Sequence, residues 1–366
     1  DLQNMMIEVQ SGIVTNEINA IVADAGLFFA GYPMSLESCQ IGGNIAENAG
    51  GGKAIKYGVT DRYITGMEVV TPTGDILKLG GKVVKDVSGY DLKRLYIGSE
   101  GTLGVVTSAT IKLMPLPKAK TDLLVLFPDV QSAIEVVPMI VSKLGIVPTS
   151  VEFMDRLSVE TSCKYLNEHL TYENCGSMLL IEVDGTTQDQ VDGEAETIGD
   201  LCMENKAIEV YVADNYTTQE RVWAVRRNIA EAFKLYSPHQ SLEDIVVPIA
   251  QIPALMEEIA KLSAEFQISM PSYGHAGDGN LHTTLIKPPE MPLDQWYRLE
   301  DQVVRRLYAV VMALGGKLSG EHGIGIKRKD YYQEIADPRE IALMRLLKKA
   351  LDPNNILNPG KVFDLD

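Results

Sequence analysis

The sequence predicts an α+β protein with more than one domain, and three observations carry that expectation. Its 366 residues exceed what one hydrophobic core usually organises, and 45% apolar with 23% charged residues is an ordinary globular balance. The first third sets short runs rich in β-branched residues between glycine-dense turns. The middle alternates strand-like runs with amphipathic helices.

Residues 1–117 make up the first predicted domain, with strands expected at 6–9, 63–70, 76–78 and 105–113. Two glycine-dense stretches lie between them: 42–52 (GGNIAENAGGG) and 98–104 (GSEGTLG). Glycines at that density let a backbone approach a ligand and turn its N–H groups inward, although tight turns use glycine in the same way. Neither stretch has the strand–G-x-G-x-x-G–helix order of a nicotinamide site. Pro115 and Pro117 close the domain. In the second domain, 118–320, strands are expected at 122–127, 177–183 and 207–212. Helices are expected at 130–144, 188–205, 219–236 and 293–314, covering a ferredoxin-like or related antiparallel sheet. The third segment, 321–366, holds a helix over 338–351 that Asp352-Pro353 stops.

A net charge of −17 repels phosphate backbones and anionic lipid, so nucleic-acid and membrane-surface roles are disfavoured. An anionic substrate must then meet a local cation. No apolar run approaches a bilayer span. Cys39, Cys163, Cys175 and Cys202 have no metal-ligand spacing, which predicts reduced thiols in a cytoplasmic protein.

Three of the five histidines fall in two compact motifs. In GHAGDGNLH, the run Ala276–Asn280 is a turn signal that would put His275 and His282 on neighbouring strands, facing one point. Two imidazoles suit a divalent ion such as Zn²⁺, Mn²⁺ or Fe²⁺, with Glu321 able to supply a third ligand. Hydrogen-bonded core histidines are the alternative. His322, next in sequence, would point elsewhere. On the predicted helix around Val222, Val225, Ile229 and Phe233, Arg226 falls at the edge of the apolar stripe and Arg227 away from it. Arg226 is thus placed either to bind a carboxylate or to form a surface ion pair.

The strings IGGNIAENAGG, KYGVTDRY, GGKVVKDVSGYDLKRLYIGSEGTLGVVT, SYGHAGDGNLH, GEHGIG and ILNPGKV follow one another in this chain. Together they resemble the FAD-linked oxidase family of D-lactate dehydrogenases, glycolate oxidase flavin subunits and D-2-hydroxyglutarate dehydrogenases. The resemblance covers nearly the whole chain. It implies a vanillyl-alcohol-oxidase-type FAD-binding domain, a substrate (cap) domain and a C-terminal segment that returns to the flavin. It places Pro33, Gly42, Gly43, Asn44, Asn48, Gly50, Gly98, Glu100, Gly101, Gly104, Val106 and Asn358 at the cofactor. It also assigns His275, His282 and Glu321 to a divalent metal and Arg226 to the substrate carboxylate.

Oxidation of a 2-hydroxy acid moves a hydride from C2 to the flavin and needs a base for the hydroxyl proton, for which His322 is the candidate. Where the hydroxyglutarate enzymes carry a lysine for a second carboxylate, this chain has Leu242, which favours a small substrate such as D-lactate, with glycolate as the alternative. A non-catalytic electron-relay subunit is the rival reading; it would keep the glycine loops and lose the metal triad and Arg226. With no second redox centre in the sequence, electrons are expected to pass to a partner, an electron-transfer flavoprotein first and an iron–sulfur subunit second. In the family a further subdomain carrying pyrophosphate contacts precedes the stretch resembling residues 6–15, so the chain is expected to be an N-terminally incomplete version of a longer protein.

Overall fold

In the computed structural model, which describes residues 1–170, 174–213 and 215–365, the chain forms two units. One consists of Asp1–Leu116 with Glu321–Asp366, the other of Pro117–Gly320. The first opens with β1 (Met6–Gln10), α1 (Thr15–Ala23), β2 (Leu27–Phe28), α2 (Ile41–Glu47) and α3 (Ala54–Tyr57). It continues through β3 (Ile64–Val70), β4 (Ile76–Gly80), α4 (Lys93–Tyr96), β5 (Val105–Lys112) and β6 (Met114–Pro115). Strands in the order β1-β5-β3-β4 form an antiparallel sheet, and β2 pairs with β6. Ile18, Phe29, Ile41, Ile45, Val69 and Ile111 are fully buried in the core beneath it.

One stretch departs from expectation. The first half of the glycine-dense 42–52 run is helical, because Ile41 and Ile45, one turn apart, are both fully buried. Burying two such side chains, worth about 1.5–3 kcal/mol each, offsets the ~1 kcal/mol helix penalty of each of Gly42 and Gly43. Asn48 then ends the helix in the left-handed conformation, φ 53°.

The second unit begins β7 (Ala119–Phe127), α5 (Val130–Leu144), β8 (Ser150–Asp155), α6 (Arg156–Leu166), β9 (Ser177–Gly185), α7 (Gln188–Glu204) and β10 (Glu209–Ala213). Its four strands lie in the order β10-β7-β9-β8, the arrangement of a ferredoxin-like βαββαβ unit with α6 added. There follow α8 (Tyr216–Arg227), α9 (Ile229–Ala232), β11 (Gln240–Val246), α10 (Ile252–Phe266), β12 (Ser272–His275), β13 (Asn280–Ile286) and α11 (Leu293–Ala313). The last three strands extend the sheet as β8-β12-β13-β11, again antiparallel. The helix expected over 219–236 starts earlier, at the Asn215 cap, and divides at Asn228 into α8, α9 and a short 3₁₀ turn. In the tail, α12 (Lys329–Ile335) precedes α13 (Pro338–Leu351), which Asp337 caps with proline in the first turn. Among the described residues no helix is long and apolar enough to cross a membrane.

Candidate active site

The β12–β13 hairpin turns sequence spacing into geometry. His275 pairs with Asn280 and Tyr273 with His282, so alternation along the strands puts all four side chains on one face of the sheet. The turn is tight. Gly279 sits at φ +89°, and a Cβ there would lie 2.1 Å from the Val247 carbonyl oxygen, so only glycine fits. The two imidazole centroids are 5.8 Å apart, and both residues are buried.

Glu321 follows directly on Gly320, whose N–H donates to the Asp244 carbonyl at 3.3 Å. One ligand atom from each of His275, His282 and Glu321 lies within 4.8 Å of the other two. Two imidazoles and a carboxylate are the donor set of a borderline divalent ion, and small rotations would bring them to bond lengths of about 2.0–2.2 Å. The residues present therefore fit such an ion.

Arg226 and Arg227 separate as the helical wheel requires. Arg227 pairs with Glu220 at the surface, whereas Arg226 is buried with its Cζ 5.0 Å from the centroid of Tyr273. The Arg226 partner is one the sequence did not reveal: its Nε donates to Glu152 Oε2 at 2.7 Å, and Nη2 lies 2.7 Å from the same oxygen. Glu152, on β8 and fully buried, also holds His275 Nδ1 at 2.7 Å through Oε1. Burial pushes the Glu152 carboxyl up, but His275 and Arg226 together outweigh it and hold the group below the usual range.

Asp244 and Asn280 also belong to this face and were not singled out from sequence. Asp244 Oδ1 accepts from Asn280 Nδ2 at 2.7 Å and lies 3.6 Å from His282 Nε2; its Oδ2 accepts from Ser319 at 2.7 Å. Glu152 had a local signal, an acid between the buried apolar residues of Val-Glu-Phe-Met, whereas Asp244 stands in the mixed run Gln-Ser-Leu-Glu-Asp-Ile-Val and had none.

The other unit gathers several of the expected cofactor residues. The 98–101 loop docks on the end of α2, where Gly98 and Glu100 N–H groups donate to the Ile45 and Ala46 carbonyls at 2.9 and 2.8 Å. Asn48 lies beside Gly98 and accepts from Asp61 N–H at 2.9 Å. Glu100 is a clamp: Oε1 and Oε2 accept from Ile324 and Gly325 N–H, each at 2.7 Å. Gly323 sits at φ +71°, and a Cβ on it would lie 2.2 Å from Glu47 Oε2 and 2.8 Å from Glu100 Oε1. Glu47 is pushed up to about 7, first by burial and then by the Glu100 carboxylate. Asn358 Nδ2 donates to the Glu100 carbonyl at 2.6 Å. Lys348, buried and ion-paired with Asp352, donates to the Thr102 and Leu357 carbonyls at 2.8 and 2.7 Å.

Other expected cofactor positions have roles within the protein. A Cβ at Gly42 would strike Ser11, at Gly50 Val59, and at Gly104 Tyr96 and Val69. Asn44 is buried and donates to Thr15 at 2.7 Å. Pro33 lies against Gly51, and Val106 pairs with Val69 in the sheet. Gly43 differs: among the described residues a Cβ there would meet nothing within 4 Å. His322 is exposed.

Residues 1–80 match the FAD binding domain, and residues 116–362 match the C-terminal domain of FAD linked oxidases. The chain is 39% identical over 369 residues to glycolate oxidase subunit GlcD of Bacillus subtilis (strain 168), covering 100% of this chain and 77% of that protein. It is 36% identical over 367 residues to a D-lactate dehydrogenase of Anaerostipes hadrus, covering 99% and 77%. The solved 4-ethylphenol oxidase from Gulosibacter chungangensis, in its isoeugenol complex, matches with a TM-score of 0.76 over 99% of this chain and 77% of that one. At 18% identity that likeness is one of fold, of the vanillyl-alcohol-oxidase type.

Proposed function

The chain belongs to the FAD-linked oxidases, and from that premise we propose that it oxidises a small D-2-hydroxy acid to the 2-oxo acid, with D-lactate the first choice and glycolate the second. The observation that carries this reading is the convergence of His275, His282 and Glu321 on a sheet face that also holds the buried Arg226. When bound, FAD would accept the substrate hydride, and a divalent ion at the triad would polarise the 2-hydroxyl. Asn48, Gly98, Glu100, Gly101 and Asn358 form the cluster proposed to face the flavin, with Gly43 on α2.

Arg226 is proposed to orient the substrate. Glu152 engages Nε and approaches Nη2, and Nη1 adds further N–H donors of the guanidinium fork for a carboxylate. His322 is proposed as the base that takes the hydroxyl proton. Leu242 pairs with Thr284 and shares its strand face with Asp244, which favours a substrate without a second carboxylate. Electrons are proposed to leave to a partner protein, an electron-transfer flavoprotein before an iron–sulfur subunit.

The test is steady-state turnover of D-lactate, L-lactate, glycolate and D-2-hydroxyglutarate with an artificial dye, before and after chelation. D-Lactate should have the highest kcat/KM. Chelation should abolish turnover and leave the flavin spectrum intact. Preference for D-2-hydroxyglutarate, or turnover that survives complete metal removal, would sink the proposal.

A further inference from the structure

The sheet face contains a second carboxylate whose bonding points to a task of its own. Glu152 is fully buried on β8 and touches both Arg226 and His275. A guanidinium only donates hydrogen bonds, so Oε2 must accept from Arg226. An ion pair at 2.7 Å with side chains 4% and 0% exposed makes Glu152 a carboxylate, which only accepts. The contact at Oε1, 2.7 Å from His275 Nδ1, therefore has one polarity: Nδ1–H donates. In the neutral ring the single proton is then on Nδ1 and Nε2 presents a lone pair, as a metal ligand must.

We propose that Glu152 is a positioning residue that fixes His275 in the Nδ1–H tautomer and aims its Nε2 lone pair at the triad, with Arg226 enforcing the polarity from behind. This rests on the proposed metal site for its purpose but not for its geometry. It gives Arg226 a second task, at one remove from any substrate. It also explains why a strand of buried residues carries an acid at position 152, where an unpaired charge would be strongly destabilising.

The near-isosteric Glu152→Gln variant makes a sharp test. The amide oxygen must turn to the donor-only Arg226, leaving the NH₂ group toward His275. A donor there requires Nδ1 to accept, which moves the ring proton to Nε2. With five histidines in the chain, ¹⁵N-labelled imidazoles can be assigned one by one. In chelator-treated wild type, at a pH high enough that the ring carries a single proton, His275 should show the Nδ1–H tautomer; in E152Q it should show Nε2–H. Calorimetric titration with Zn²⁺ alone should give an affinity about 10–100-fold weaker in E152Q, the usual loss when a bond behind a ligating histidine is removed. An Nε2–H tautomer in metal-free wild type overturns the inference, and so does an E152Q protein with wild-type zinc affinity. Wild type that binds no Zn²⁺ overturns the metal reading under Proposed function instead, while the tautomer measurement still decides this one.

Discussion

The histidine face of the β7–β13 sheet and the Glu100 clamp both bring chemistry-bearing residues together, by opposite means. On the sheet, a backbone ladder sets the spacing: His275 and His282 are two registers of one hairpin, and Glu152 reaches His275 from the next strand. At the clamp no ladder is involved. Side chains grip backbone groups far away in sequence, with Glu100 holding Ile324 and Gly325 N–H and Lys348 holding the Thr102 carbonyl. A ladder distributes the cost of losing any one contact. Buried charges concentrate it, Arg226 with Glu152 at the sheet face and Lys348 with Asp352 in the clamp, so single substitutions at these residues should cost most, each within its own region.

The largest effect is expected at Arg226. Its removal leaves Glu152 as a buried charge without its guanidinium, and Arg226→Ala should cost about 3–5 kcal/mol of stability together with most of kcat/KM. Arg227→Ala, at an exposed pair, should stay within about 0.5 kcal/mol. Denaturant midpoints and steady-state kinetics on both variants check this, and equal losses would break the assignment of faces on α8.

Next comes Lys348→Met, which strands Asp352 in a fully buried position. A loss of about 3 kcal/mol is expected, confined to the clamp. Hydrogen exchange should show lost protection at residues 98–102 and 324–325, with the β12–β13 amides still protected. If the sheet amides exchange just as fast, the two regions are not independent and the comparison fails.

The smallest effect concerns pH. Glu47 is raised from its ordinary 4.5 to about 7, so between those values the folded protein binds more protons than the unfolded one. Its contribution to stability is therefore full below about 4.5 and falls as pH climbs through about 7. Wild-type Tm should drop by a few degrees across that window through this group, and Glu47→Gln should flatten the drop. A steeper decline in the variant would assign the dependence to another group.

The same contrast explains what could be read from the residues alone. Strand and helix periodicity is local, so α5 over 130–144, α13 over 338–351 and the core of β3, β5, β7 and β9 were legible. The two histidines were legible as neighbours because a seven-residue separation across a Gly-Asp-Gly turn has few geometries. Glu152 was not, since it lies 123 residues from His275 and 74 from Arg226. Nothing local marks which distant partner a buried acid will choose. The α2 helix was hidden for another reason: tertiary burial of Ile41 and Ile45 overrode the low helix propensity of Gly42 and Gly43.

The clamp has a consequence for how the chain is made. Its unit is assembled from two stretches, Asp1–Leu116 and Glu321–Asp366, and the intervening 117–320 forms a unit of its own. During synthesis from the N-terminus, the middle unit has all its residues before the first unit has its last strap. Glu100 must wait 224 residues for Ile324, and Thr102 must wait 246 for Lys348. Until then the 98–104 loop has its contacts with α2 but none from the tail, and closing so long a loop is slow. The clamp therefore sets after the middle unit has all its residues, and nascent chains that stall before residue 324 should carry a finished sheet and an unclamped glycine loop.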